Sequence, residues 1–172
     1  AIEGSAERYL NAITKVLARE TDLSCSDKDV YYDDYFSLVN ASKLTKIVCY
    51  SGLVVDKLQF VYDNDEEMTE MHGQGEGMRF EFALDDGEYI IKLKFKTARC
   101  SYAGYGQSPV MTSIEFTTNK ERSFKKGLYG GDYKDLNEND QKAFSDMDSY
   151  TYKMEKDEEL FCLAGMYSKY MG

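Results

Sequence analysis

The sequence predicts an all-β protein, because apolar and polar residues alternate over several stretches that short turns separate. The clearest stretch runs from Asp85 to Phe95, where an acidic turn closes on Gly87 before the chain becomes extended. One face of this strand would hold Tyr89, Ile91, Leu93 and Phe95, and the other face Lys92, Lys94 and Lys96. This is the pattern of a strand that is buried on one side and exposed on the other.

The strand pattern recurs along the chain. Residues 55–62 alternate in the same way, residues 111–118 read Met-Thr-Ser-Ile-Glu-Phe-Thr-Thr, and further strands are predicted at 44–50, 78–84, 150–154 and 159–164. Fifteen tyrosines and nine phenylalanines supply residues that favour strands. With a single proline, Pro109, the turns must be made by the thirteen glycines and by Asp and Asn. These features favour a body built from many short hairpins.

Three stretches resemble the core signatures of the jacalin-related lectins. They are Ser51–Tyr62 (Ser-Gly-Leu-Val-Val-Asp-Lys-Leu-Gln-Phe-Val-Tyr), Gly87–Ile90 (Gly-Glu-Tyr-Ile) and Thr112–Asn119 (Thr-Ser-Ile-Glu-Phe-Thr-Thr-Asn). They occur in the order and spacing of that family, and the resemblance covers about residues 31–172. It implies a jacalin-like β-prism of three antiparallel Greek-key sheets over residues 23–172. Residues 1–22, which the resemblance does not explain, are predicted to be an N-terminal helical extension.

The extension contains a predicted short N-terminal α-helix over residues 6–20. Its apolar residues Leu10, Ile13, Val16 and Leu17 recur at helical spacing. The charges around them are balanced rather than basic, which favours packing against the sheets or a partner subunit over contact with a membrane.

Composition excludes several classes of partner. The chain carries 31 acidic against 21 basic residues, a net charge of −10, which disfavours binding to nucleic acid. It contains no apolar run of the roughly 20 residues that span a bilayer, so no membrane span is predicted. The net negative charge favours a secreted, extracellular or vesicular protein.

Chemistry that depends on metals, cofactors or catalytic sets is not predicted. The four cysteines, Cys25, Cys49, Cys100 and Cys162, are far apart, and there is one histidine to assist a metal. Two disulfides, with three alternative pairings, and isolated buried thiols both remain open. Without a Gly-x-Ser-x-Gly or His-Glu-x-x-His pattern, the protein is not expected to be an enzyme.

The resemblance implies a saccharide site at one end of the prism, formed by three loops. The first loop, residues 24–29, reads Ser-Cys-Ser-Asp-Lys-Asp where the family has Gly-Gly. In the last loop, 168–172, Ser168 takes the place of the family's glycine and Gly172 that of its sugar-binding aspartate. The carbohydrate-binding residues predicted from the second and third loops are Tyr105, Gln107, Ser108, Ser168, Lys169, Tyr170 and Gly172.

Two functions follow as alternatives. The first is a lectin-like module that binds glycans or glycoproteins, and the second is a non-lectin structural or adhesion module that uses the prism for contacts between proteins. The resemblance leads us to expect one more strand after Gly172, so either the sequence is a fragment of a longer chain, or a protein partner, a second chain or the N-terminal segment completes an open sheet edge. The sequon Asn40-Ala41-Ser42 predicts a glycan on Asn40 if the chain follows a secretory route.

Three further segments carry expectations of their own. His72, in the glycine-rich hairpin 71–78, is expected to be an ordinary loop residue. Gly127–Gly131 resembles the family's Gly-Pro-Tyr/Phe-Gly turn, with Leu128 in place of proline. Residues 132–148 form a polar insertion that is predicted to be solvated surface, with a short helix near Glu138–Phe144.

Overall fold

A computed structural model of the chain describes residues 30–38, 40–105 and 109–167. The predicted helix over residues 6–20 lies outside this part. The strands found in it are β1 Val30–Asp33, β2 Leu44–Ser51, β3 Val55–Tyr62, β4 Glu67–Met68, β5 His72–Gly73, β6 Met78–Ala83, β7 Ile90–Cys100, β8 Val110–Thr118, β9 Ser123–Gly127, β10 Phe144–Lys153 and β11 Ala164–Tyr167. The helices are α1 Glu138–Ala143 and three 3₁₀ turns, Asp34–Ser37, Leu128–Gly130 and Tyr133–Asp135.

The strands form three antiparallel sheets, which confirms the predicted β-prism. One sheet has the order β10-β7-β8-β9, the second has the order β4-β3-β2-β6 with β5 also paired to β3, and the third pairs β1 with β11. Three four-stranded sheets, one of them a strand short, were expected. Within the described residues the sheets instead have four, five and two strands.

The core lies where the larger sheets face each other. Phe60 of β3 meets Phe116 of β8 edge to face, with 6.1 Å between ring centroids. Tyr62 is fully buried, and its hydroxyl donates a 2.5 Å hydrogen bond to the carbonyl of Phe161. This bond ties the segment before β11 to the five-stranded sheet. A buried aromatic side chain of this kind contributes about 1.5 to 3 kcal/mol through removal of its apolar surface from water.

A β-bulge changes which residues of β7 face the core. Ile90 pairs with Thr118 and Lys92 pairs with Thr117, so Ile91 is the extra residue in the ladder. Ile90 is therefore completely buried, whereas Tyr89 is 36 % exposed. The predicted face of Tyr89, Ile91, Leu93 and Phe95 is correct from Leu93 onward and wrong before the bulge, because strict alternation cannot anticipate an inserted residue.

The end of the chain also differs from the prediction. The predicted strand over 159–164 is instead an irregular segment, and the strand itself, β11, begins at Ala164. Residues 160–163 are each buried, and the amide of Leu160 donates to the carbonyl of Ile90. A run of consecutive apolar residues has the sequence pattern of a buried strand. Only the backbone pairing shows that residues 160–163 are an irregular segment.

The cysteines within the described residues are free thiols in the core. Cys49, Cys100 and Cys162 are all buried and unbonded, so the alternative of two disulfides is wrong, while Cys25 lies outside the described residues. Burial in an apolar environment raises the pKa of Cys49 to about 12 and also raises that of Cys162. These groups are therefore inert core thiols.

His72 is a buried residue of β5, not a loop residue as predicted. Its Nε2 atom lies 2.6 Å from Oδ1 of Asp34, and its ring stacks on Tyr32 with 3.7 Å between centroids. Burial raises the pKa of Asp34, against the opposing effect of His72. The cluster attaches the turn after β1 to the five-stranded sheet, a contact between residues 38 positions apart that no local pattern reveals.

Candidate functional site

The structure places one of the predicted carbohydrate-binding residues. Tyr105 is half-buried and packs against a small apolar cluster at one end of the prism. Gln107, Ser108, Ser168, Lys169, Tyr170 and Gly172 lie outside the described residues. The first strand nevertheless bears on the site, because Val30 and Tyr167 are register partners in the β1–β11 ladder. The segments that precede Val30 and follow Tyr167 therefore attach to the same end of that ladder.

The loop after β7 is fastened to α1. The hydroxyl of Tyr102 donates a 2.6 Å hydrogen bond to Oδ1 of Asp140, and the amide of Ser101 donates to the carbonyl of Ala143. The hydrogen bond to Asp140 raises the pKa of Tyr102 to about 12. Asp140 is itself fixed, since its amide donates to the side chain of Asn137 at the start of α1. The hydroxyl of Tyr102 is thus committed to a contact within the protein.

Most residues of the insertion that contains α1 are exposed, as expected for a solvated surface, but a few buried residues anchor it to the protein. Leu136, Ala143 and Phe144 are buried in the cluster that also holds Val54 and Val110. The predicted short helix is confirmed at Glu138–Ala143, but the polar sequence that follows it belongs to β10. β10 lies at the edge of its sheet, so its many exposed polar residues resemble a loop in sequence.

Two turns meet beside this cluster. The amide of Leu128 donates to the carbonyl of Leu53, and the amide of Tyr129 donates to that of Gly52. Gly127 has φ of +94°, and a Cβ at this position would overlap the carbonyl oxygen of Thr112. Only glycine accepts both conditions without strain. The turn leaves the ring of Tyr129 68 % exposed, an aromatic surface that the pattern of a turn does not reveal.

A buried carboxylate explains the Gly-Glu-Tyr-Ile signature. Glu88 is fully buried and accepts hydrogen bonds from the hydroxyl of Thr118, the amide of Asp85 and the guanidinium of Arg122, at 2.6 to 2.7 Å. Burial alone would raise the pKa of Glu88, but these donors together hold it below its ordinary value. Glu88 thus joins the turn before β7 to the turn after β8.

Asn119 joins the same two turns and explains the end of the Ser-Ile-x-Phe-x-Thr-Thr-Asn signature. Its side-chain oxygen accepts from the amide of Tyr89 at 2.9 Å, and its amide donates to the carbonyl of Gly87 at 3.1 Å. Two of the three signatures therefore form a connected framework, at the end of β7 opposite to the loop that holds Tyr105.

The glycine-rich hairpin after β5 encloses a second buried carboxylate. A Cβ at Gly75 or at Gly77 would collide with the side chain of Asp56, so the hairpin can close over this carboxylate only with glycine there. Burial raises the pKa of Asp56 to about 6, against the opposing effects of Lys57 and the backbone amide of Gly77. The hairpin is a cover for Asp56.

The predicted glycosylation site is accessible. Asn40 is exposed at a bend before β2, and Ser42 of the same sequon donates its hydroxyl to Asp63 at 2.7 Å. Within the described residues, no group of three or more His, Cys, Asp or Glu is placed to hold a metal ion. No helix in this part of the chain is long and apolar enough to cross a membrane.

The three antiparallel sheets, with their signatures at the turns, define a β-prism of the lectin type. The family model described as the jacalin-like lectin domain matches residues 26–147. The chain therefore belongs to the jacalin-like lectin domain family. No curated protein matches the sequence.

Solved structures of jacalin-related lectins share the fold. The mannose-binding jacalin-related lectin from Ananas comosus is 20 % identical, with a TM-score of 0.58 over 86 % of this chain and 88 % of that one. Artocarpin in complex with mannotriose is 15 % identical, with a TM-score of 0.60 over the same shares. Frutapin from Artocarpus incisa is 17 % identical, with a TM-score of 0.56 over 84 % and 88 %.

Proposed function

We propose that this protein is a carbohydrate-binding module that recognises mannose-containing glycans through loops at one end of the prism. The observation that carries the proposal is the register of β1 with β11, because it joins the first and last predicted sugar loops to one end of a ladder. The similar solved structures include a mannose-binding lectin and complexes of artocarpin with mannotriose and mannopentose, which supports this choice of sugar.

The loop around Tyr105 would form the other side of this site. Tyr105 and Tyr129 offer aromatic surface to the C–H faces of sugar rings, and Gln107, Ser108 and Lys169 offer hydrogen-bond donors. The family's Gly-Gly and aspartate are replaced in this chain, so a charge-assisted bond from a carboxylate would be absent. We therefore expect binding weaker than that of a module with the complete loops.

A glycan array and titration with mannotriose test the proposal. We expect saturable binding to mannose-containing glycans that the variants Gln107→Ala and Lys169→Ala reduce. Gln74→Ala and Lys156→Ala are matched controls, since these exposed residues lie in the hairpin 73–77 and in the turn after β10, outside the predicted loops. Folded protein that binds no neutral glycan, or loses binding equally in variants and controls, would contradict the proposal.

The second candidate is a structural or adhesion module that uses the prism for protein contacts. One observation favours it: among the described residues the sheet of β1 and β11 has two strands, so each strand has an edge without a ladder partner. A second chain could pair along such an edge. Light scattering of the purified protein tests this, because pairing predicts a dimer that dissociates on dilution.

We also propose a secretory route for the chain, with a glycan on Asn40. The exposure of Asn40 at a bend supports this assignment. Expression in secreting eukaryotic cells should yield a product whose mass falls on treatment with an N-glycanase. The variant Asn40→Gln should lack that shift, and a wild-type product without it would refute the assignment.

A further inference from the structure

The outer face of the four-stranded sheet is rich in lysine. Paired residues of antiparallel strands lie on the same face, so the register defines three rows across β10, β7, β8 and β9. The rows are Lys153, Lys92, Thr117 and Ser123; Thr151, Lys94, Glu115 and Lys125; and Ser149, Lys96, Ser113 and Gly127. We call these twelve positions the lysine face. It holds five lysines and one glutamate in a chain whose net charge is −10.

The lysines are regularly spaced. With a rise of about 3.4 Å per residue, Lys92, Lys94 and Lys96 follow each other along β7 at intervals of about 7 Å. Lys153 lies beside Lys92 on the neighbouring strand, about 5 Å away at the backbone. A row of cations with this repeat fits an extended polyanion better than a single small anion.

Most of these lysines form no ion pair with a described residue, although Glu115 lies between Lys94 and Lys125 in the register and Asp132 interacts electrostatically with Lys96. Lys125 pairs with Asp132. Among the residues that the structure describes, Lys92, Lys94, Lys96 and Lys153 form no ion pair, and Lys96 and Lys153 are exposed. Salt screens exposed charges beyond about 10 Å, so a ligand on this face would experience these lysines more strongly than the acidic remainder of the chain.

An apolar cavity adjoins the row of Lys96. Its volume is about 160 Å³, and its apolar walls are Leu128, Tyr133, Phe144 and Met147; the polar residues Lys96, Thr112, Asp148 and Ser149 complete the lining. Met147 lies in the bulge of β10 and is 55 % exposed. The cavity is smaller than the ~300 Å³ at which pockets for drug-sized ligands begin, so it suits one sugar ring rather than an oligosaccharide.

We propose that the lysine face binds an anionic polysaccharide, with its carboxylate or sulfate groups on Lys94 and Lys96 and one ring against Met147. The five hydroxyl side chains among the twelve positions offer further hydrogen bonds to sugar hydroxyls. The lysine face contains no apolar side chain that could insert into a bilayer, which disfavours an anionic lipid surface. Duplex DNA concentrates one charge per about 1.7 Å, and an acidic chain repels it more strongly than a polysaccharide of lower charge density.

Binding measurements with two polyanions test this surface. Polygalacturonate presents carboxylates, dextran sulfate presents sulfates, and neutral dextran is the uncharged control. We expect binding to at least one polyanion, weakened by added salt, and a loss of roughly tenfold or more in affinity in the variant Lys94→Gln/Lys96→Gln. The matched variant Lys46→Gln/Lys57→Gln removes the same charge from the five-stranded sheet and should change affinity by less than about twofold.

Either polyanion supports the proposal, and the one that binds identifies the anionic group. The proposal is overturned if neither binds at low salt, if both double variants lose affinity equally, or if phosphatidylserine vesicles bind as tightly and depend on the same lysines. Mannotriose binding, measured on the same samples, should be unchanged in both double variants, and thermal unfolding should be unchanged in Lys94→Gln/Lys96→Gln. Lys46→Gln/Lys57→Gln removes the ion pair of Lys46 with Asp65, so a small fall in Tm is expected there. If the proposal for the lysine face is wrong, only the binding of polyanions will be missing. If the proposed glycan site is wrong, only the binding of mannotriose will be missing.

Discussion

Two buried carboxylates, each in a family signature, are held in opposite ways. Glu88, before the start of β7, accepts hydrogen bonds from three donors, and its pKa is lowered. Asp56, at the start of β3, is covered by a glycine hairpin, and burial raises its pKa to about 6. The turns around Glu88 are thus a fully satisfied framework. At Asp56 the fold instead tolerates a carboxylate whose ionisation destabilises it.

The largest expected effect breaks the framework. Glu88→Ala leaves the hydroxyl of Thr118, the amide of Asp85 and the guanidinium of Arg122 without their acceptor, which should cost about 3 kcal/mol or more of unfolding free energy. Urea denaturation measures this. Glu81→Ala, at an exposed carboxylate, should cost less than about 1 kcal/mol. Equal losses of unfolding free energy in the two variants would show that the hydrogen bonds to Glu88 stabilise the fold no more than an exposed carboxylate does.

The next largest effect tests the close approach of Gly127 to the carbonyl oxygen of Thr112. Gly127→Ala places a Cβ against the carbonyl of Thr112 at a backbone φ of +94°, and we expect a loss of about 2 to 3 kcal/mol. Gly87→Ala is the control: it shares a positive φ of +70°, but its Cβ would meet no atom within 4 Å. The difference between the two variants, measured by denaturation, isolates the overlap from the strain. Equal losses of stability in Gly127→Ala and Gly87→Ala would contradict the tight packing around Gly127.

The two carboxylates should also differ in pH dependence. Because the pKa of Asp56 is raised from 3.8 to about 6, the folded state holds this proton to higher pH than the unfolded chain does. The contribution of Asp56 to stability is therefore full below pH 3.8 and is lost as the pH rises to about 6, by about 2 to 3 kcal/mol.

Asp56→Asn removes that titration. Between pH 4 and pH 6 the stability of the variant should rise relative to wild type, whereas Asp157→Asn, in an exposed turn, should follow the wild-type curve. Denaturation at a series of pH values is the measurement. Parallel curves for wild type and Asp56→Asn would show that Asp56 titrates normally.

The sequence predicts the framework better than the site. Turn chemistry at Gly87 and the alternation after Leu93 follow from local rules, and the three signatures identify the family. The bulge at Ile91 and the burial of His72 against Asp34 depend on partners distant in the chain. The hydrogen bond from Tyr102 to Asp140 joins a loop to an insertion that no signature covers, so the sequence alone could not show that this loop is supported.

The smallest expected effect concerns the loop after β7, which the hydrogen bond from Tyr102 to Asp140 supports. Tyr102→Phe removes the hydroxyl that binds Asp140 but keeps the ring, so the framework should stay intact while the loop 101–105 opens more often. Amide hydrogen exchange in residues 101–105 should accelerate roughly three- to tenfold, with β7 and β8 unchanged. Tyr89→Phe, another partly exposed tyrosine at the opposite end, is the matched control. If exchange also accelerates in β7 and β8, α1 supports the whole sheet and the two ends are not independent.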